Sequence, residues 1–269
     1  MEKNKTAIVA VSVFAVIALL MVILIPVQRK NELYDKWGKL AELSETDERA
    51  LFIIENEELY SEHIINYFYA NPDKLDFVYE YAFHRDDNLN MSFTDEELNS
   101  ETVPALYMSD YRWCYYPMGD AYIRQNGCAT VSLTMAYVYL TGKGNVNPAV
   151  VVQAAEAVGA LGPFGGVDGE KIGDTCSALG LTAKTYTLCN GREKISHADK
   201  GLLKEVIDSG NVLMSIMIGE TFGDHAIIIT GYDGDQFTIN DPASPENTAK
   251  KWAFEELEND MFYVYDISY

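Results

Sequence analysis

The chain has 269 residues, of which 41 are Asp or Glu and 20 are Lys or Arg, so its formal net charge is −21. A protein this acidic repels the phosphate backbone, which argues against nucleic acid as a partner. Its hydrophobic fraction of 48% is typical of a chain that buries a packed core, which argues against a largely disordered protein.

The first feature in chain order is an uncharged apolar run, Ala7–Val27. At about 1.5 Å per helical residue, this run is long enough to cross the ~30 Å core of a bilayer. It ends in ILIPVQRK, without the small-residue cleavage site of a signal peptide. We therefore expect residues 1–30 to form an uncleaved, single-pass anchor in the cell membrane. Lys and Arg flank the run on both sides, so the charges alone do not predict its orientation.

Residues 31–105 are predicted to form an acidic helical stalk and a linker. Apolar side chains recur at spacings of three and four up to His84, which is the pattern of helices with one buried face. Pro72, in the sequence NPDK, suits the first turn of a new helix. We interpret the apolar and aromatic stripe as the core of a small helical bundle, and the charged segment after Asp86 as the linker.

Residues 106–269 are predicted to form an α+β domain. Helices are predicted after Cys128, near Pro148–Gly159 and near Gly169–Leu179, whereas the carboxyl-terminal half is rich in strands and holds one helix at Gly201–Ser209. This order is typical of helices that pack on an antiparallel sheet. The predicted strands have the sequences TAKTYTL, NVLMSIMI, HAIIITGY, QFTIND and MFYVYDIS.

Cys128 is a candidate nucleophile because NGC followed by ATVSLTMAYVYL places it at the start of a helix. The free N–H groups and partial positive charge of a helix start favour the thiolate form of a cysteine. Leu133, Met135, Ala136 and Leu140 are the predicted buried side of this helix. A lone cysteine is, however, also typical of a small buried hydrophobe.

The other cysteines carry weaker signals. The chain has no CxxC pair, so a zinc ribbon is not indicated. A disulfide between Cys176 and Cys189 is an alternative if the domain lies in an oxidising compartment.

His225 and Asp241 flank a predicted hairpin. His225 begins the apolar strand HAIIITGY, the sequence GYDGDQ predicts a tight turn, and the returning strand ends at Asp241. Because the two strands leave and return across one turn, we expect both side chains at the same sheet edge. A thiol nucleophile requires a histidine within hydrogen-bond reach and a third group to hold that histidine. The three residues together therefore indicate a Cys-His-Asp triad.

The stretches DYRWCYYPMGDAYIRQNGCATVSLTMAYVYLTG, GDHAIIITGY and FTINDPAS resemble the papain-like cysteine peptidases of the C-39-like group, relatives of the bacteriocin-processing domain. The resemblance covers about residues 106–253. It implies a papain-like fold, in which the helix that carries the cysteine packs on an antiparallel sheet. It also implies that Cys128 is the nucleophile, His225 the general base and Asp241 the residue that orients His225.

The resemblance further implies a membrane-anchored thiol hydrolase whose domain is extracellular and whose substrate is a peptide or isopeptide bond in a peptide or protein. No cofactor or metal is expected. Many family members have GCGP where this chain has GCAT. The bacteriocin-processing branch has a Gln six residues before its cysteine, where this chain has Tyr122. Gln125, together with the Cys128 N–H, is the candidate donor to the oxyanion.

Two other functions stay open on the same residues. One is a catalytically inactive module that binds a peptide in the same cleft. The other is a cell-wall amidase or acyl transferase that uses the same triad. The segment Gly162–Glu170 is expected either to border the cleft or to be a plain connection between helices. The sequence does not predict the oligomeric state.

Overall fold

The computed structural model of the chain describes residues 37–87, 91–162 and 165–269. The predicted membrane anchor, Ala7–Val27, lies outside these residues. Within the described ranges, no helix is both long enough and apolar enough to span a bilayer. The chain divides into two compact units between Phe83 and His84. Residues 84–105, predicted from the sequence to belong to the stalk and linker, are therefore part of the second unit.

The described part of the first unit, residues 37–83, is helical, as the apolar spacing predicts. Its core consists of aliphatic and aromatic side chains that are fully buried, among them Ile53, Ile64 and Phe68. Pro72 begins a single 3₁₀ turn directly before the last helix, where its fixed φ angle suits a helix start. The helices are α1 (Lys39–Leu43), α2 (Glu48–Glu55), α3 (Glu62–Ala70) and α4 (Leu75–His84).

The described helices of the second unit include four that the sequence pattern predicts and several short ones. They are α5 (Asp95–Leu98), α6 (Ile123–Asn126), α7 (Cys128–Thr141), α8 (Pro148–Ala157), α9 (Ile172–Ala178), α10 (Lys200–Asp208), α11 (Pro245–Ala249) and α12 (Phe254–Glu258). Helix α5 lies in the predicted linker. A capping box starts it, in which Thr94 and Glu97 satisfy each other's backbone N–H groups.

In the described part of the chain, the strands form one large antiparallel sheet and two short ribbons. The sheet has six strands in the order β3-β10-β6-β7-β8-β9. The ribbons are β1 with β2 and β4 with β5. The strands are β1 (Pro117–Met118), β2 (Ala121–Tyr122), β3 (Thr182–Thr187), β4 (Cys189–Asn190), β5 (Glu193–Lys194), β6 (Val212–Met217), β7 (His225–Asp233), β8 (Gln236–Asn240), β9 (Trp252–Ala253) and β10 (Met261–Ser268).

Both faces of the large sheet are buried at its centre, which explains why the central strand β7 is apolar at every position from Ala226 to Ile229. Ala226 and Ile228 belong to a core cluster shared with α7, α8 and α9. Ile227 and Ile229 belong to a second cluster, shared with α10 and α12. Successive side chains of a strand point to opposite faces, so an uninterrupted apolar run is required where both faces are covered. The α+β architecture with an antiparallel sheet is as predicted.

Candidate active site

Cys128 is the first residue of α7, as predicted, and Gly127 makes this start feasible. A Cβ atom on Gly127 would lie 2.5 Å from the carbonyl oxygen of Ile123. The chain therefore passes directly from α6 into α7 only with a glycine at this position. The N–H groups of the first helical turn have no carbonyl within the helix to bond with, and they face the start of α7. The thiol of Cys128 lies in this partial positive field.

Helix α7 is more deeply buried than its sequence predicts. Every residue from Ala129 to Val138 is buried, so the helix has no solvent face along that length, whereas the predicted core residue Leu140 is only partly buried. Thr130 and Thr134 are accommodated because their hydroxyls donate to backbone carbonyls of the preceding turn. The prediction of a single buried side was wrong because these polar residues satisfy their own hydrogen bonds inside the core.

The structure brings His225 and Asp241 together. His225 is the first residue of β7 and is paired with Met217 of β6, whereas Asp241 directly follows β8. The distance from His225 Nε2 to Asp241 Oδ1 is 2.7 Å. The side chains are 11% and 2% exposed, respectively. The imidazole is therefore held in one orientation by a buried carboxylate.

Asp241 has further partners that hold its carboxylate in place. Its Oδ2 accepts a hydrogen bond of 2.7 Å from the side-chain amide of Asn247, and its Oδ1 accepts one of 2.8 Å from the N–H of Ala243. Burial by itself raises the pKa of Asp241, but the hydrogen bond and charge of His225, with the bonds from Asn247 and Ala243, outweigh burial and lower that pKa below its ordinary value of 3.8. The carboxylate therefore stays ionised at neutral pH.

His225 also interacts with Cys128. Because Asp241 occupies Nε2, Nδ1 is the ring nitrogen left for the thiol. Burial lowers the pKa of His225, but the hydrogen bonds and charges of Asp241 and Cys128 outweigh burial and raise that pKa to about 10. An imidazole with this pKa holds its proton at neutral pH, so its positive charge lies beside Cys128. The structure thus places His225 in a hydrogen bond with Asp241 and in the same cleft as Cys128.

A further contact ties the helix of Cys128 to the strand of His225. Ser132 lies one helical turn after Cys128, and its hydroxyl donates to the carbonyl of Ala226 at 3.4 Å. Ala226 directly follows His225. Neither Ser132 nor Asn247 was predicted from the sequence as part of the site, since each acts through a contact that only the folded chain brings about.

Cys128 and His225 line a cleft of about 450 Å³. Gly166, Val167 and Gly169 form part of its lining, so the segment Gly162–Glu170 borders the cleft rather than being a plain connection. Pro163 and Phe164, in the same segment, lie outside the described residues. The other lining side chains are those of Met108, Gln125, Asn126, Cys128, Ala129, Arg192, Ile216, Met217, Ile218, Asp224, His225, Ala226 and Ala243.

Gln125 lines the cleft three residues before Cys128 and is half-buried. Its side-chain Oε1 is buried and has no hydrogen-bond partner among the described residues. This oxygen is an acceptor, so it can receive a hydrogen bond from a bound substrate, whereas an oxyanion would be bound by the Nε2 N–H groups of the same amide. The structure therefore keeps Gln125 beside the thiol, where the sequence predicts an oxyanion donor.

The other three cysteines, Cys114, Cys176 and Cys189, are buried, and none of the four forms a disulfide. The alternative of a bridge between Cys176 and Cys189 is not seen. Burial raises the pKa of Cys176 to about 12, so this thiol is unreactive at neutral pH. Within the described part of the chain, no cluster of His, Cys, Asp or Glu is arranged to hold a metal ion.

Comparison with known proteins assigns the second unit to a family. The model of the Peptidase_C39 like family matches residues 107–267, which is more than half of the chain. The chain belongs to the Peptidase_C39 like family. A crystal structure of a protein described as a C39-like peptidase from Bacillus anthracis is similar at 14% identity and a TM-score of 0.40, over 61% of this chain and 93% of that one. No curated protein matches the sequence.

Proposed function

We propose that this member of the Peptidase_C39 like family is a thiol hydrolase that cleaves a peptide or isopeptide bond. Cys128 is the nucleophile, His225 the general acid and base, and Asp241 the residue that orients His225. The observation that carries this proposal is the chain of contacts in which one buried imidazole meets Asp241 at 2.7 Å and also interacts with Cys128. Family membership supports it, because a peptidase acts on a peptide or protein.

The reaction follows from the protonation states of the pair. The Cys128 thiolate attacks the carbonyl carbon of the scissile bond, and the carbonyl electrons move to oxygen. The oxyanion then returns its electrons, the C–N bond breaks, and the His225 imidazolium gives its proton to the leaving amine. Water attacks the resulting thioester, His225 takes a proton from that water, and the carboxylic acid product leaves as the Cys128 thiolate reforms. Asp241 stays ionised throughout and keeps the ring in place.

The oxyanion requires hydrogen-bond donors that are in place before the reaction. The backbone N–H of Cys128 is one candidate because it belongs to the free first turn of α7. The side-chain Nε2 of Gln125 is the second candidate, because Gln125 lines the same cleft and an amide nitrogen carries two N–H donors. A single donor of this kind contributes about 3–4 kcal/mol to catalysis. Both donors therefore belong to the proposal.

The variant Cys128→Ala distinguishes a thiol hydrolase from a catalytically inactive module that only binds a peptide. The full chain in detergent micelles is incubated with a panel of peptides, isopeptides and cell-wall peptide fragments, and products are read by mass spectrometry. We expect the wild type to release products and Cys128→Ala to release none, since the acyl intermediate needs the sulfur. The matched control, Cys114→Ala, removes a buried thiol outside the cleft lining and should retain cleavage. Cleavage that survives Cys128→Ala, or peptide binding by the wild type without any cleavage, contradicts the proposal.

We also propose that Ala7–Val27 anchors the chain in the cell membrane as a single-pass helix with the peptidase domain outside. The length of the uncharged run supports the anchor, and the resemblance to anchored bacterial relatives supports the outside location. Protease treatment of intact cells measures the orientation. The domain should be digested without lysis; a domain that survives until the cells are lysed contradicts the outside location.

A further inference from the structure

An ion pair lies at the cleft beside the catalytic residues. Arg192 Nη2 donates to Asp224 Oδ2 at 2.6 Å, and both residues line the cleft with Cys128 and His225. Arg192 lies in the two-residue turn of the β4–β5 hairpin, directly after Gly191, which has a φ of +60°. Asp224 directly precedes His225. The ion pair therefore joins this hairpin to the loop that leads into β7.

The loop that carries Asp224 is built around a buried carboxylate. Asp260 is 4% exposed, and its Oδ2 accepts hydrogen bonds of 2.9 Å from the N–H groups of both Thr221 and Phe222. The loop also passes very close to this carboxylate at Gly219, where a Cβ atom would lie 1.9 Å from Asp260 Oδ1. Backbone bonds to a buried charge are strong, so the loop is held in one conformation next to His225.

The hairpin that carries Arg192 is held by Glu258, which ends α12 two residues before Asp260. Glu258 is 7% exposed, and its Oε1 accepts from Lys194 Nζ at 2.6 Å and lies 2.9 Å from His197 Nδ1. Lys194 is on β5, two residues after Arg192. Glu258 and Asp260 thus fix the two segments that present Arg192 and Asp224 to the cleft. The buried contacts of Glu258 therefore fix the position of the backbone at Arg192.

The guanidinium of Arg192 has N–H donors that the ion pair with Asp224 does not use. An arginine has five N–H donors, and only the bond from Nη2 to Asp224 engages Arg192 among the described residues. Its side chain is 76% exposed, and that of Asp224 is 60% exposed. Exposed ion pairs of this type are weak. The guanidinium of Arg192 can therefore form a bidentate pair with a second carboxylate, either beside Asp224 or in its place. Of the described residues that line the cleft, Arg192 alone carries a permanent positive charge.

We propose that Arg192 is a specificity-determining residue that binds a carboxylate of the substrate, and that Asp224 competes with the substrate for it. The inference rests on the proposed function and names the substrate class: peptides with an acidic group near the scissile bond. The carboxylate is that of an acidic side chain or that of a chain terminus. Asp224 sets the selectivity, because a neutral or basic peptide leaves Arg192 paired with Asp224.

Reactive probes of matched shape test this without a known substrate. The full chain is alkylated with iodoacetyl-glutamine amide, iodoacetyl-glutamate α-amide, iodoacetyl-glutamine with a free terminal carboxylate, and iodoacetyl-lysine amide. The rate at Cys128 is followed by mass spectrometry in wild type, Arg192→Gln and Asp224→Asn. Lys143→Gln is the control for loss of one positive charge. Lys143 lies just beyond the far end of α7, about 20 Å from Cys128 along the helix and beyond the Debye length at physiological salt.

The ratio of an acidic to the neutral rate should fall about threefold to fivefold in Arg192→Gln, rise in Asp224→Asn, and stay unchanged in Lys143→Gln. The probe that shows this pattern, side-chain acid or terminal acid, identifies the source of the carboxylate. Ratios that neither cleft variant changes, or a wild type that reacts fastest with the lysine probe, overturn the proposal.

The neutral probe reports separately on the thiol. A fast rate with the neutral probe and no charge selectivity refutes the role of Arg192 and leaves the hydrolase function intact. A neutral rate no faster than that of an ordinary thiol refutes the hydrolase function.

Discussion

His225→Ala is expected to slow the alkylation of Cys128 at about pH 6 on the order of 100-fold. An ordinary cysteine has a pKa of about 8.5, so about 0.3% of it is thiolate at that pH. A thiolate paired with imidazolium is fully formed there, which gives a difference of about 300-fold. A thiolate of low basicity is a weaker nucleophile, and this reduces the observed difference.

Iodoacetamide labelling at Cys128, with mass spectrometry to separate it from the three buried cysteines, measures this effect. His84→Ala is the matched control, because His84 also lies 2.8 Å from a carboxylate, that of Asp87, but is not among the cleft residues. We expect this control to react like the wild type. Equal rates in the wild type and His225→Ala would show that the histidine does not activate the thiol.

Asp241→Ala is expected to lower the free energy of unfolding by about 3–5 kcal/mol, because it removes one partner of a buried charged pair. His225, Asn247 and the N–H of Ala243 lose their acceptor in this variant. Urea unfolding of the full chain in micelles, followed by a probe of the second unit, measures the loss. Asp233→Ala is the matched control, since Asp233 forms an exposed ion pair with Lys251 near the other end of β7. Little change is expected there.

The loss in Asp241→Ala should depend on pH in a defined way. The pKa of Asp241 is lowered in the folded state, so its stabilisation is complete above the ordinary value of 3.8 and is lost as the pH falls through the folded pKa. The pKa of His225 is raised, so its stabilisation is complete below its ordinary value of 6.5 and is lost as the pH rises toward about 10. The difference between wild type and variant should therefore be largest between about pH 4 and 6.5. A difference that grows steadily above this range contradicts the charge state assigned to the pair.

Cys128, His225 and Asp241 could be located from the sequence because each has a signal in its neighbouring residues. Gly127 before an apolar helical run indicates a helix start at Cys128, and a tight turn between two short strands indicates that His225 and Asp241 meet. Both signals act over a few residues, so they depend little on the rest of the fold. The hairpin register then decides the distance between His225 and Asp241. The turn GYDGDQ sets that register together with a β-bulge between Ile229 and Gly231.

The remaining parts of the site depend on contacts between distant segments, which have no local signal. Arg192 reaches Asp224 across 32 residues, and Lys194 reaches Glu258 across 64. Charged residues in acidic loops look solvated in the sequence. Only the fold shows that Glu258 and Asp260 are buried and organise the cleft. Helix α5 was missed for a similar reason: it is short and charged, and Arg112 binds Glu97 from outside the helix.

The pairing of Cys128 with His225 is tested by the thiolate absorbance of the full chain, measured with and without the histidine. Ultraviolet absorbance of the thiolate is followed against pH, and the signal of Cys128→Ser is subtracted so that the other cysteines and the tyrosines cancel. At about pH 6 we expect thiolate absorbance in the wild type and its loss in His225→Ala. Equal absorbance in the wild type and His225→Ala would contradict the pairing of Cys128 with His225.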